Sequence, residues 1–438
     1  MGGSVRAHDL KHRRHQEACA ADGASLAAMY LYGDVLEAVV ERVPASDLAA
    51  TARVSREWLR AVRAALRRRP RRLPWLVVHL QARGGGRRCA AAYDPCAGAW
   101  LAVPAPRHAA PSHVRLVRGA RGDRVCALSL SGLDVAADPL GTAAGVALAA
   151  PAVWRVDPVF AAVGDRVVAL GGACGLALAD GQEAAAVEVH EAGRWAACDP
   201  VPDALRDSAA ATWLSAAATD QRVYLVERTT GWASWFDPAT RRWGPTRRLG
   251  PDPAVTTWGV APGRVGAAGE ERLLLFGAKR ADKEAECTVV VQAWELDGST
   301  LEETPSAPSD AMPPEFSERL FPRDDIDDDD DDQGLDDAPL SIGLCGNASG
   351  GYVYNAAEPA NGAVLYELRE EEGKAKGSAT AVARWEWVPC APAVQAEPLA
   401  RAILACSPMG LDELALAVAA RAHTDAHPRA STPNLPIH

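Results

Sequence analysis

The chain has 438 residues, 48% of them hydrophobic and 24% charged, with a formal net charge of −11 at pH 7. That length accommodates one large domain with a small one, or two to three domains, and the negative balance argues against general binding to nucleic-acid phosphates. No apolar run approaches the ~20 residues that cross a bilayer, so neither nucleic acid nor membrane is expected as a partner.

The first fifteen residues are polar and lack the apolar stretch of a secretory signal. Gly2 follows Met1 as in a myristoylation start, but Arg6 stands where Ser or Thr is required. Residues 1–28 therefore read as a disordered leader on a cytoplasmic or nuclear protein, and Asn347-Ala348-Ser349 is no glycosylation site. The ten cysteines contain no CxxC pair, which excludes zinc-ribbon and thioredoxin-like arrangements. Most sit among apolar neighbours, as reduced and buried thiols do.

Residues 29–69 read as three short helices. Leu31, Val35, Leu36, Val39 and Val40 recur at helical spacing, and Asp34 suits the first turn of a helix dipole. Pro44 ends that helix, and Ser46-Asp47 opens a second one carrying Leu48, Thr51 and Ala52. A third apolar set is Val54, Trp58, Leu59, Val62 and Leu66. So small a module with so much apolar surface needs a partner to bury against. The arginines from Arg60 to Arg72 read as the solvated end of the third helix and a linker.

From Leu73 onward, short Val-, Leu-, Ala- and Trp-rich runs alternate with Gly, Pro and Asp, the pattern of an all-β domain with many short strands. A unit recurs: a Gly/Asp turn, an apolar strand, a second strand ending in an acidic turn, then a third strand opened in several units by Trp. These openings fall near residues 100, 146, 195, 243, 301 and 385. With the acid-rich segment 306–338 set aside, the period is about 50 residues, as in kelch repeats. The expected fold is mainly β: a six-bladed kelch-type β-propeller over 73–420, preceded by the three helices. Trp100, Trp195, Trp243 and Trp385 are expected to wedge between blades. The runs 402–406 and 414–418 have no unit of their own, and the first blade lacks an inner strand before Trp75. Joining the two would close the ring and remove a free sheet edge.

Ten aspartates lie within 324–337, without the alternation, Gly and closing Glu of a calcium loop. Like-charge repulsion makes 306–338 a disordered insertion, and 421–438 reads as a disordered tail. Trp213, Trp232, Trp235 and Trp258 do not fit the repeat position, and some are candidates for a target-binding rim. Between Leu73 and Val418 the histidines are His79, His108, His113 and His190, none paired at metal-ligand spacing. HExxH, GxSxG, P-loop and dinucleotide motifs are missing, so no catalytic residue, cofactor or metal is assigned and an enzyme is not expected.

The string LYGDVLEAVVERVPASDLAATARVSREWLRAV resembles the F-box. Leu31, Val35, Leu36, Val43, Pro44, Asp47, Leu48, Ala52, Val54 and Trp58 match its pattern, while Tyr32 replaces the usual Pro and Ser55 the usual Cys. F-box followed by kelch resembles a characteristic plant family. The resemblance implies a substrate-recognition subunit of a Skp1–cullin–F-box ubiquitin ligase. Leu31, Val35, Leu36, Val39, Pro44, Leu48, Val54 and Trp58 would engage a Skp1-like adaptor, and the propeller would hold a protein target for proteasomal degradation. Segments 74–78, 92–95, 153–158 and 405–411 resemble a branch that marks phenylpropanoid and flavonoid enzymes, chalcone synthase in particular. A ligase-independent kelch scaffold and a kelch-propeller oxidase are the alternatives.

Overall fold

The computed structural model describes residues 33–43, 45–68, 73–82, 88–103, 114–136, 140, 145–174, 176, 178, 185–266, 269–283, 286–304, 310–322, 339–368, 382–397 and 399–408. The leader, Leu31, Tyr32, Pro44, Arg69, Arg71, Arg72, the aspartates of 324–337, the run 414–418 and the tail lie outside the described residues. Two compact units divide the chain, one holding the N-terminal helices and the other spanning Arg71–Met409.

The helical unit contains α1 (Asp34–Glu41), α2 (Ala45–Thr51) and α3 (Arg56–Arg68), with α1 and α2 both lying against α3. Asp34 and Glu37 occupy the first turn of α1, where acids favour the positive end of the helix dipole. Ser55, the departure from the F-box pattern, is the N-cap of α3: its hydroxyl accepts the Trp58 N–H at 3.4 Å and donates to Glu57 at 2.8 Å. Leu36, Val40, Leu48, Ala49, Ala61, Val62 and Ala65 are buried.

The second unit is a six-bladed β-propeller. Blade one joins β1 (Trp75–Gln81), β2 (Arg88–Asp94) and β3 (Ala99–Val103) to β25 (Arg401–Ser407) in the order β25-β1-β2-β3. Blade two is β4 (Arg115–Arg118), β5 (Val125–Leu128), β6 (Gly132–Val135) and β7 (Val146–Ala149); blade three is β8 (Val159–Val163), β9 (Arg166–Leu170), β10 (Val187–Glu191) and β11 (Arg194–Cys198). Blade four holds β12 (Leu214–Ala218), β13 (Val223–Glu227), β14 (Trp232–Asp237) and β15 (Arg242–Trp243), with β16 (Arg247–Arg248) also pairing β14. Blade five is β17 (Thr257–Pro262), β18 (Arg272–Lys283), β19 (Glu286–Asp297) and β20 (Asp310–Ala311), and blade six is β21 (Ile342–Asn347) to β24 (Val382–Val388), through β22 (Gly350–Asn355) and β23 (Ala363–Leu368). The inner strands β25, β4, β8, β12, β17 and β21 neighbour one another in turn around the axis.

Closure is as the sequence implied for 402–406: Leu76 pairs Cys406, Val78 pairs Leu404 and Leu80 pairs Ala402. Each seam between blades has its own apolar core. Val163, Val189, Leu225 and Phe236 join blades three and four; Leu76, Tyr352, Leu365 and Leu404 join six and one. Burial at such seams, at about 25 cal/mol per Å², is the main stabilising term of a ring whose single blades would be exposed on both faces. The seam between blades one and two is the smallest, with Leu116, Val125, Ile403 and Ala405 as its buried members.

Two expectations are corrected. The Trp-bearing strand is the fourth and outermost of its blade, because the repeat as read began at the second strand. Inner strands such as Val159–Val163 and Leu214–Ala218 are short and Ala-rich, since small side chains suit the crowded axis, and they carry little strand signal. The second correction concerns 306–338. Residues 310–322 of it take regular structure: β20 pairs β19, and helix α4 (Pro314–Leu320) buries Leu320 while the preceding Met312 is also buried. Asn355 and Asn361 each donate to the Leu320 carbonyl, at 3.2 and 3.1 Å, holding the end of that helix on blade six.

Candidate binding face of the propeller

One end of the axial channel is a mouth built from the starts of the inner strands. Arg401 begins β25 and donates to the Leu116 carbonyl of blade two at 2.7 Å. Arg115 begins β4 and reaches blade three, donating to the Val156 carbonyl and pairing with Asp157 at 3.3 Å. Asp157 in turn accepts from the Thr212 N–H at 2.7 Å and the Thr212 hydroxyl at 2.6 Å, which tie blade four to blade three. Arg228, just past β13, crosses to blade six and donates to the Ile342 carbonyl at 2.6 Å. Arg118 reaches the same blade, donating to the Leu344 carbonyl and to Tyr354 Oη. Four guanidinium groups thus link blades across the axis, with Arg115, Arg228 and Arg401 at this end and Arg118 at the far end of β4.

The local geometry that places Asp157 is a double glycine. Gly171 and Gly172 follow β9 with φ of 60° and 64°, a region that only glycine enters freely. The Gly172 carbonyl accepts the Val156 N–H at 2.7 Å, and a Cβ at 172 would overlap the Asp157 carbonyl. Beneath lies a buried ion pair, Arg155 to Glu188 at 2.8 Å, with side chains 1% and 4% exposed. Glu188 also accepts from the Ala152 and Val153 N–H groups, and Arg155 donates to the Gly171 carbonyl at 2.7 Å.

Electrostatically the mouth is unbalanced. Asp157 is the one carboxylate that pairs with any of the four arginines among the described residues. Burial brings the Arg228 guanidinium down to about 10, with Arg118 adding to the depression, and burial together with Arg115 does the same for Arg401. Trp213 stands beside Arg228, its carbonyl accepting the Arg228 N–H at 3.0 Å, and its side chain is 54% exposed.

Above this end rises an arm the sequence did not announce. β17 stops pairing at Ala278, but β18 and β19 continue through five further cross-strand pairs, from Lys279–Val290 to Lys283–Glu286. At ~3.3 Å per residue the hairpin projects about 16 Å past the inner strand. Val289 and Val291 at its base pack with Met312 and Leu320 of the ordered insertion. A separate cleft of 520 Å³ lies at the rim of blades four and five, lined by Trp232, Arg248, Leu296 and Glu302 among others.

The remaining residues singled out from the sequence distribute as follows. Trp100, Trp195 and Trp243 share one geometry: each indole N–H donates to a carbonyl just at or past the outer strand of the preceding blade, Pro389 at 2.9 Å, Ala149 at 2.8 Å and Asp199 at 3.1 Å. Trp385 instead packs edge-on to Phe276 of blade five at 6.4 Å. Of the four irregular tryptophans, Trp258 is buried, Trp235 lies under Arg222 with the guanidinium 4.2 Å from its ring, Trp232 is half-buried, and Trp213 alone is exposed. His79 and His190 are buried; His108 and His113 lie outside the described residues. No group of three or more potential metal ligands occurs among the described residues.

In the helical unit the adaptor candidates separate by burial. Val35, Val39 and Val54 are exposed at 56%, 37% and 65%, Trp58 is half-buried, and Leu36 and Leu48 are buried at 2% and 0%. Leu36 and Leu48 take core positions behind the exposed set: α1 turns Val35 and Val39, four residues apart, outward together, while Leu36 and Val40 turn in.

No family model matches the chain. A curated F-box/kelch-repeat protein of Arabidopsis thaliana is 29% identical over 396 residues, covering 88% of this chain and 91% of its own length. The chain is thus similar to a plant F-box/kelch-repeat protein along most of its length. Among solved structures, a putative 6-phosphogluconolactonase from Bacteroides uniformis is 11% identical with a TM-score of 0.32, covering 72% of this chain and 99% of its own. AztD from Citrobacter koseri is 10% identical with a TM-score of 0.27, covering 76% and 99%. Superpositions that loose carry no argument about activity. The F-box and the propeller together support a substrate-adaptor role in Skp1–cullin–F-box ligases.

Proposed function

We propose that the F-box docks on a Skp1-like adaptor of a cullin ligase while the propeller holds a client protein for ubiquitination. The observation that carries this reading is the exposed apolar set Val35, Val39 and Val54 on a small helical unit that begins the same chain as a closed ring. An exposed aliphatic face on an otherwise packed module is what a partner surface covers. Holding ligase and client on one chain makes ubiquitin transfer effectively intramolecular, so rigid placement matters more than any acid or base. The propeller mouth, with its projecting hairpin, is the surface on which variable segments sit over a fixed frame.

The client class of phenylpropanoid and flavonoid enzymes, chalcone synthase among them, is supported by the likeness of segments 74–78, 92–95, 153–158 and 405–411 alone. The decisive experiment is affinity capture with the proteasome blocked, comparing the intact protein with one lacking residues 29–69. A Skp1-like protein captured only by the intact chain, and clients captured by both, is the expected result. Clients without adaptor in either sample would favour the ligase-independent scaffold.

A further inference from the structure

We infer that the channel mouth is an anion-reading site that takes an acidic peptide segment of the client, its carboxylates engaging Arg115, Arg228 and Arg401 beside Trp213. The inference rests on the propeller being the client-holding unit and names what that unit recognises.

Three observations converge. First, the arginines are under-used. A guanidinium carries five N–H donors, whereas Arg228 and Arg401 each spend one on a main-chain carbonyl and Arg115 reaches one carbonyl and one carboxylate. A carbonyl satisfies a hydrogen bond but leaves the charge unmatched. Charge-assisted bonds to carboxylate are roughly twice as strong as neutral ones, and the fork of Arg favours planar acids.

Second, the charges are held rather than splayed into solvent. They arise from three blades and are fixed by bonds to other blades, and partly buried charges are screened by salt less than those on an open surface. The lowered basicity of Arg228 and Arg401 comes first from burial, with a neighbouring guanidinium, Arg118 or Arg115, adding to it. An incoming carboxylate relieves it.

Third, the surroundings suit a peptide. Trp213 offers an exposed indole next to Arg228, the pairing of aromatic and arginine that dominates protein interfaces, and the blade-five hairpin stands over the same end as a wall. A long polyanion such as RNA meets the opposite long-range field, since the chain's net charge is −11. A short acidic segment feels chiefly the local one.

The test uses the full chain and two fluorescent decapeptides, one alternating Glu and Gly, the other Gln and Gly, read by anisotropy. The Glu peptide is expected to bind saturably and to weaken about tenfold or more when salt rises from ~50 to ~500 mM, with no binding by the Gln peptide. Arg228→Gln and Arg401→Gln should each weaken the Glu peptide about tenfold, with the melting temperature of each variant measured alongside. Arg228→Lys and Arg401→Lys keep the charge and should retain most of the binding should the Gln forms misfold. Because ten aspartates within 324–337 offer the same chemistry in cis, the titration is repeated with those ten changed to Ser, and binding in either background supports the site. Equal binding of Glu and Gln peptides, no binding in both backgrounds, unchanged affinity in a folded Arg→Gln variant, or displacement by single-stranded RNA at lower concentration than by peptide would each overturn it. Adaptor capture by the same preparations reads the F-box separately, so loss of the peptide site leaves the ligase reading standing, and loss of adaptor leaves the peptide site testable.

Discussion

Arg155 and Glu188 show how much a single pair can weigh when it is sealed in. Both side chains are nearly inaccessible, and Glu188 also accepts two backbone N–H groups that have no other partner. Removing one member of a buried pair leaves an uncompensated charge, at a cost of about 3–5 kcal/mol. Glu188→Ala is therefore expected to lower unfolding free energy by that amount in urea titration, while Glu191→Ala, at the half-exposed end of β10 where Arg166 and Arg241 pair with it, costs at most about 1 kcal/mol. Cysteine chemistry separates in the same way. Burial pushes the Cys126 thiol up to about 12, so at pH 8 it is protonated and cannot attack, whereas Cys96 is exposed. Maleimide should label Cys96 in the native protein and reach Cys126 only in denaturant. Native labelling of Cys126 would contradict the packing of blades two and three. Nothing in the sequence sets Arg155 and Glu188 apart, because nothing within one strand says that the next one will bury it.

Among the elements, α1 illustrates what spacing can and cannot tell. The i, i+3, i+4 rhythm of Leu31, Val35, Leu36, Val39 and Val40 called for a helix, and the helix forms over Asp34–Glu41. Which of these residues is covered depends on where α2 and α3 lie. Val35 and Val39 face outward while Leu36 and Val40 are sealed. Accordingly, Val35→Asp with Val39→Asp is expected to abolish capture of the adaptor with circular dichroism unchanged. Leu36→Asp loses the helical signal of the unit as well, through burial of an unpaired charge. Retained capture by the Val35/Val39 double variant would refute the assigned face. The ordered middle of the insertion was hidden for a different reason. The aspartates beside it dominate composition, and Met312, Phe316 and Leu320 look like scattered apolar residues until the long β18–β19 hairpin supplies something to pack against. Likewise the mouth arginines Arg115, Arg228 and Arg401 are more than a hundred residues apart in the chain. Their one sequence-level trace is position: charged residues bracketing strands otherwise built from Leu, Val and Ala.

For the molecule as a whole, ring closure sets the stability. β25 pairs with β1 along all seven of its residues, from Arg401–Gln81 to Ser407–Trp75. A chain ending at Ala400 leaves blade one without its inner strand and exposes two sheet edges. It is expected to elute as aggregate in size-exclusion chromatography, while one ending at Pro408 remains a monodisperse propeller. A soluble, cooperatively melting protein from the shorter chain would show that closure is not required. Within the intact ring the blade one–two seam has the fewest buried apolar residues, and the outer strand Val146–Ala149 is largely exposed. Amide exchange should run faster in β7 than in β13 of blade four, where Val223–Glu227 is wholly buried.

Local patterning was enough to determine the kind of molecule: helical periodicity before residue 70, a repeat of about 50 residues after it, Trp at a recurring place, and a leftover C-terminal run that had to find a partner. Each of these is written in consecutive residues, because propensity, turn chemistry and apolar alternation act over a few positions at a time. The tertiary structure alone decided which apolar side chains remain free on the helical unit, that residues 310–322 pack on blades five and six, and that Arg115, Arg228 and Arg401 from three blades come to one end of the ring. Those outcomes depend on pairings between residues up to hundreds of positions apart, and only the closed ring brings such positions within a hydrogen bond of each other.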